Sequence, residues 1–229
     1  MTPPIYLDYN ATTPIAPEVR EAMRPWLGGA GYGNPSSDHW YGRQARAAVA
    51  QARSQVAALI GADPGEVLFT GSATEANNLA VLGVAAALQG QGRHLVTSAI
   101  EHPAVSAPMA HLCAQGWEVT TLPVDPSGRV APADLAAALR PDTVLVSIMH
   151  ANNEVGTLQP ITELAALARA RGVLFHTDAA QSVGKVAVDV AALGVDLLTI
   201  AGHKFYAPKC SGPQTSGLRP TNIAISGPD

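Results

Sequence analysis

"DTVLVSIMHANNEVGTLQPITELAALARARGVLFHTDA", residues 142 to 179, decides the fold. "DTVLVSIMH" is apolar without alternation and reads as a strand buried on both faces. "ITELAALARARG" carries a helical pattern, and "VLFHTDA" is a second short strand. A strand, a helix and a strand in that order predict a parallel pair joined by a crossover.

The same alternation extends in both directions. Upstream, "GRQARAAVAQARSQVAALIG" reads as an Ala-rich helix stopped by Gly61. "EVLFT" is a strand, and "SATEANNLAVLGVAAALQ" is a helix with Ser72 or Thr74 near its N-cap. "HLVTSAI" and "WEVTTLPV" are strands around the helix "HPAVSAPMAHLCAQG". "APADLAAALR" is a helix with Pro132 near its start. Downstream, "DLLTIAGH" is a further strand. The expected fold class is α/β, a mostly parallel sheet with helices on both faces. Residues 1–40, rich in Pro and Gly, read as an N-terminal arm and loops. Residues 41–209 form the main domain, and 210–229 a tail of different composition.

Bulk properties narrow the function. The chain has 229 residues, enough for a large domain with its own core. It is 47% hydrophobic and 14% charged, which excludes a disordered chain. A net charge of -4 argues against a nucleic-acid partner. Cys113 and Cys210 form neither a disulfide framework nor a zinc pattern, as expected in a reducing cytoplasm. The start "MTPPIYLDYN" lacks the pattern of a signal peptide, and no apolar run reaches the roughly 18 residues of a membrane span.

Ligands of open parallel sheets bind beyond the carboxyl ends of the strands. There the sequence delivers "GSATEANN", then Glu101 and His102, then "HANNE", then Asp178 and Gln181, then His203 and Lys204. Singly, each has an ordinary use: a helix-start Thr caps, a strand-end Asp makes a turn, a Lys is solvated. "FTGSATEANN" is neither a dinucleotide fingerprint nor a Walker loop. Its Gly turn at a helix start still suits one phosphate. A phosphate seat, a strand-end carboxylate and a lysine together suggest pyridoxal phosphate.

Seven segments carry a resemblance: "YLDYNATTP", "GNPSSDHWYGRQAR", "FTGSATEANNLA", "EHPAV", "MHANNEVGTLQPI", "HTDAAQSVGKV" and "GHKFYAPK". In register from about residue 5 to residue 209, the chain resembles cysteine desulfurases of the NifS/IscS type, in the class V aminotransferase group. The resemblance implies the large domain of a fold type I transferase dependent on pyridoxal 5'-phosphate. It places Lys204 as the lysine that takes the cofactor's aldehyde as a Schiff base. Asp178 pairs with the ring nitrogen, Gln181 bonds the phenolic oxygen, and His102 stacks on the ring and moves protons. Thr74, the backbone of Ala73 and His203 hold the phosphate. Asn153 lies near the phenolic oxygen and the substrate carboxylate. Catalysis falls to Lys204 and His102. The implied reaction converts L-cysteine to L-alanine and passes on sulfur as a persulfide, for iron–sulfur cluster assembly or thiolation. The implied partners are a sulfur-acceptor or scaffold protein and a second copy of the chain, in the cytoplasm, with no nucleic acid, membrane or metal.

The sequence also departs from that pattern. Ala201 stands where the family usually has Ser or Thr, three residues before the lysine. After "APK" the likeness stops, so the fold type I domain is expected to be incomplete and activity impaired. The family's next strand is antiparallel and lies between the strands "EVLFT" and "DLLTIAGH". "NIAIS", residues 222–226, is the tail segment that could fill that slot; the expectation is that it does so imperfectly, or that the chain is marginal and self-associates. Cys113 is expected to be buried and inert, and Cys210 stands where the family has Gly. The alternatives are a non-catalytic remnant that binds the cofactor, or another class V enzyme such as a selenocysteine lyase or an aminotransferase.

Overall fold

A computed structural model describes residues 3–209 and 212–216, with residues 29–30 and 212–216 described by backbone alone. The helices are α1 (Pro17–Met23), α2 (Trp40–Ile60), α3 (Ala73–Leu88), α4 (Pro103–Ala114), α5 (Pro132–Ala138), α6 (Ile161–Arg169) and α7 (Val190–Leu193). The strands are β1 (Val67–Thr70), β2 (His94–Ser98), β3 (Glu118–Leu122), β4 (Thr143–Ser147), β5 (Leu174–Asp178), β6 (Leu197–Thr199) and β7 (Gly212–Ser216). They form one sheet in the order β1-β7-β6-β5-β4-β2-β3. β7 runs antiparallel to both neighbours, and the other pairings are parallel.

Alternate residues of each strand point to opposite faces. Leu95, Leu145 and Leu197 pack with Val81, Val84, Val105 and Met109 of α3 and α4. Val96, Val146, Phe175 and Leu198 pack on the other side with Leu135 of α5, Leu164 and Ala168 of α6, and Ile60. Each buried Leu or Phe contributes about 1.5–3 kcal/mol. The central strands are therefore apolar on both faces, as the unalternating runs predict.

Local signals set the boundaries. α2 stops at Gly61, which takes φ 67°, and a Cβ there would lie 2.3 Å from the Asp189 carboxylate. α3 is capped by Ser72, whose Oγ accepts from the Glu75 N–H at 3.1 Å. α4 is capped by the ring of His102, with Pro103 in the first turn.

Three expectations are corrected. The slot between β1 and β6 is filled by residues 212–216; "NIAIS" lies outside the described residues. Strand pairing uses main-chain groups, so a segment poor in strand formers still closes the ladder. Cys113 is exposed, because α4 turns Val105, Met109 and Leu112 to the core and leaves position 113 on its outer side. The first 40 residues also hold α1, which buries no residue. Cys210 lies outside the described residues.

Ending the chain at Lys209 leaves β1 and β6 without a shared partner. Amides of Val67–Thr70 and Leu197–Thr199 are expected to lose hydrogen-exchange protection, and the bare edges to drive self-association. Full protection of both segments in a monomeric shortened chain would show that β7 is dispensable.

Candidate functional site

A cavity of about 530 Å³ opens at the carboxyl ends of the strands. The start of α3, which follows β1, supplies Ala73 and Thr74, and the loop after β2 supplies His102. Asn153 follows β4, Asp178 and Gln181 come with β5, and His203 and Lys204 follow β6. All eight residues expected from the sequence line this one cavity. Their convergence is a property of parallel strands, which bring all their carboxyl ends to one edge.

Asp178 is buried. Its Oδ1 accepts from the Ala180 N–H at 2.9 Å, and its Oδ2 from Asn77 Nδ2 at 2.7 Å. Burial nevertheless pushes its pKa up, against the opposing effects of those bonds, His102 and Lys204. Asn77 Oδ1, also buried, has no partner among the described residues. This corner of the cavity therefore offers a carboxylate and an unused amide oxygen, and both accept. A cationic N–H is the group that would satisfy them. Asn77 was not singled out from the sequence. Its signal was spacing: it follows Thr74 by three residues, which puts both on one face of α3.

The Lys204 amine has its pKa lowered by burial, with Asp178 and Asp8 pulling the other way. A lowered pKa raises the fraction of neutral amine, the form that attacks carbonyls. The amine donates to the Asn10 carbonyl at 2.7 Å, and Gln181 Nε2 donates to the same oxygen at 2.9 Å. The arm thus reaches into the site, which its Pro- and Gly-rich composition does not disclose. Thr13 holds the lysine loop further: its N–H and Oγ1 both donate to the His203 carbonyl at 2.9 Å, and the Tyr206 N–H donates to its Oγ1 at 2.8 Å.

The start of α3 suits an anion. At the start of α3 the N–H groups of Ala73 and Thr74 have no carbonyl one turn earlier to bond. His203 lies nearby on the cavity wall, its Nδ1 3.2 Å from Thr12 Oγ1. Burial, then Lys204 and Lys209, lower its pKa. Ala201 also lines the cavity and offers no hydroxyl. His102 keeps Nδ1 on its own helix cap, accepting from the Ala104 N–H at 3.1 Å.

Beside His102, Glu101 joins two strand ends. Its Oε1 accepts from Ser98 Oγ at 2.5 Å and from the Met149 N–H at 2.9 Å. The residue keeps some exposed surface, but Oε2 is buried without a described partner. Burial pushes its pKa up to about 8. The folded chain thus holds a proton that the unfolded chain releases near 4.5. The resulting stability is full below that pH and is lost as the pH rises to about 8. Glu101→Gln is accordingly expected to gain stability relative to the parent between pH 5 and pH 8.5, read from urea midpoints. An equal difference at both pH values would refute the buried, protonated carboxyl.

The fold is an α/β sheet covered on both faces, with a buried carboxylate and an amine in one cavity at its carboxyl edge. The model of the family "Aminotransferase class-V" matches residues 5–212, and the chain belongs to that family. It is 53% identical over 91% of its length to "Cysteine desulfurase IscS" of Dictyoglomus turgidum, covering 52% of that protein. It is 52% identical to "Cysteine desulfurase, mitochondrial" of Arthroderma benhamiae, covering 42% of it. The chain thus spans about half the length of these curated relatives. Among solved structures, "SspA in complex with cysteine" is similar over 96% of this chain and 63% of its own, at TM-score 0.91 and 40% identity. A "NifS-like protein" is similar over 96% of this chain and 60% of its own, at TM-score 0.91 and 37% identity. Among the described residues no helix is long and apolar enough to cross a membrane.

Proposed function

We propose that this chain carries the pyridoxal-phosphate site of a cysteine desulfurase. The substrate is L-cysteine, the products are L-alanine and a persulfide sulfur, and the sulfur passes to an acceptor or scaffold protein in the cytoplasm. The observation that carries the reading is the buried Asp178–Asn77 corner in one cavity with the Lys204 amine and the start of α3. This donor set fits the cofactor group by group. Its phosphate matches the N–H groups of Ala73 and Thr74, the Thr74 hydroxyl and His203. Its ring nitrogen, when protonated, matches Asp178 and the unused Asn77 Oδ1.

When bound, pyridoxal phosphate supplies an aldehyde that condenses with amines and a ring that accepts electron density from the substrate. The protein does the rest. Lys204 is the residue that would hold the aldehyde, and its neutral amine would take a proton at the substrate's α-carbon. Asp178 would hold the proton of the ring nitrogen. His102 covers the site from the end of β2 with Nε2 free of the helix cap, placed to move a proton. Asn153 and Gln181 orient polar atoms of cofactor and substrate. Similarity to proteins named cysteine desulfurase supports cysteine, among class V substrates, as the substrate of this chain. A second copy of the chain is the partner proposed for the arm, whose Ile5, Leu7 and Leu27 are largely exposed.

Borohydride treatment of the chain incubated with pyridoxal phosphate is expected to fix the cofactor on Lys204, read by mass spectrometry of the peptide. Lys204→Ala is expected to lose that adduct, and an undiminished adduct at another lysine would remove Lys204 from the role. Ala201→Ser adds one hydroxyl to the anion seat. It is expected to tighten cofactor binding by about fivefold, the effect of roughly 1 kcal/mol from one hydrogen bond. Unchanged affinity on equilibrium dialysis would place position 201 outside that seat.

A further inference from the structure

We infer that Lys185 is a positioning residue, which fixes the sense of the Gln181 side-chain amide so that its NH₂ rather than its carbonyl faces the cavity. What the NH₂ meets there rests on the proposed pyridoxal-phosphate site; the orientation of the amide does not.

The two ends of a glutamine amide have nearly the same shape and opposite hydrogen-bonding character. A site that uses such an amide needs a further group to set which end points inward. Gln181 is buried on the cavity wall. The Lys185 ammonium donates to Gln181 Oε1 at 2.7 Å and lies 3.5 Å from Asn10 Oδ1. An ammonium has donors and no acceptor, so the reversed amide would set NH₂ against NH₃⁺ and lose a charge-assisted bond. With Oε1 held by Lys185, Nε2 turns inward and donates to the Asn10 carbonyl, the oxygen that also receives the Lys204 amine. Two donors from Gln181 and Lys204 therefore converge on one acceptor position. On pyridoxal phosphate the phenolic oxygen neighbours the aldehyde that meets Lys204. It is the ligand atom that would offer these two donors an acceptor in place of the Asn10 carbonyl.

The backbone accounts for the reach. Residues 179–186 form a tight turn in which the Lys185 and Val186 N–H groups both bond the Ser182 carbonyl. Gly184 takes φ 78°, and a Cβ there would lie 2.9 Å from Phe205 Cβ, beside Lys204. The turn thus packs directly on the lysine loop and brings Lys185 back over Gln181, four residues earlier. Burial, then the Lys204 charge, lower the Lys185 pKa, although the residue as a whole stays exposed.

The test compares the parent chain with Lys185→Met, Lys185→Arg, Gln181→Leu and the Lys185→Met/Gln181→Leu pair. Pyridoxal phosphate affinity is measured by equilibrium dialysis, together with the position of the bound cofactor's visible band. Lys185→Met is expected to weaken binding about tenfold and shift the band, with Lys185→Arg restoring most of both. In the Gln181→Leu background, Lys185→Met is expected to change neither. Parent-like binding by Lys185→Met, or an undiminished loss in the Leu background, overturns the assignment. A parent chain that takes up no pyridoxal phosphate overturns the proposed function instead. The free chain then decides the role of Lys185 by NMR: the Gln181 NH₂ signals are expected to move in Lys185→Met, and unmoved signals overturn it.

Discussion

The site depends on a backbone pairing remote from its chemistry. β7 bonds β1 on one side and β6 on the other, and it is the ladder through which β1 joins the sheet. β1 leads into the start of α3, where Ala73 and Thr74 stand. β6 leads into Ala201, His203 and Lys204. The anion seat and the amine are thus held in register by one antiparallel strand. Unpaired, the N–H and C=O groups along both flanks would each cost on the order of 1–3 kcal/mol, against a domain stability of roughly 5–15 kcal/mol. The packing of Val81 and Val84 of α3 on Leu95 and Leu145 secures the helix independently, so β7 governs the rim of the site more than its core.

A second constraint comes from the arm. Thr13 bonds the carbonyl of His203 and the N–H of Tyr206, and the Ala16 N–H bonds the Tyr206 carbonyl. Tyr206 takes φ 71°, a left-handed conformation costly for a side chain with a Cβ. It is held there by bonds to a segment nearly two hundred residues earlier. The lysine loop is therefore shaped by tertiary contacts, and the loop's own residues would not select this conformation alone.

The two buried carboxyls at the strand ends have different environments. Asp178 has bonds to both oxygens and faces Lys204 and His102, so its surroundings oppose the effect of burial. Glu101 has bonds to one oxygen only, and burial dominates, aided by the charge of Asp178. The first suits holding a cation in the cavity. The second acts as a protonated brace between the ends of β2 and β4, beside His102.

Much of this molecule was legible in the sequence because its causes are local. Runs such as "TVLVS" and "VLF" lack polar alternation, as strands of a parallel sheet covered on both faces do. Once the strands are known, the residues at their carboxyl ends are known to meet, which placed His102, Asp178, Gln181 and Lys204 together. The sequence by itself determined the fold class, the edge that bears the site and the residue types on it. Tertiary structure alone decided the rest. It chose residues 212–216 for the open slot, since pairing draws on main-chain groups that every segment has. It set the exposure of Cys113 by the rotation of α4. It brought Asn10 and Thr13 to the lysine loop, Asn77 under Asp178 and Lys185 onto Gln181. Those contacts depend on where separate segments meet in space, and neither composition nor periodicity records that.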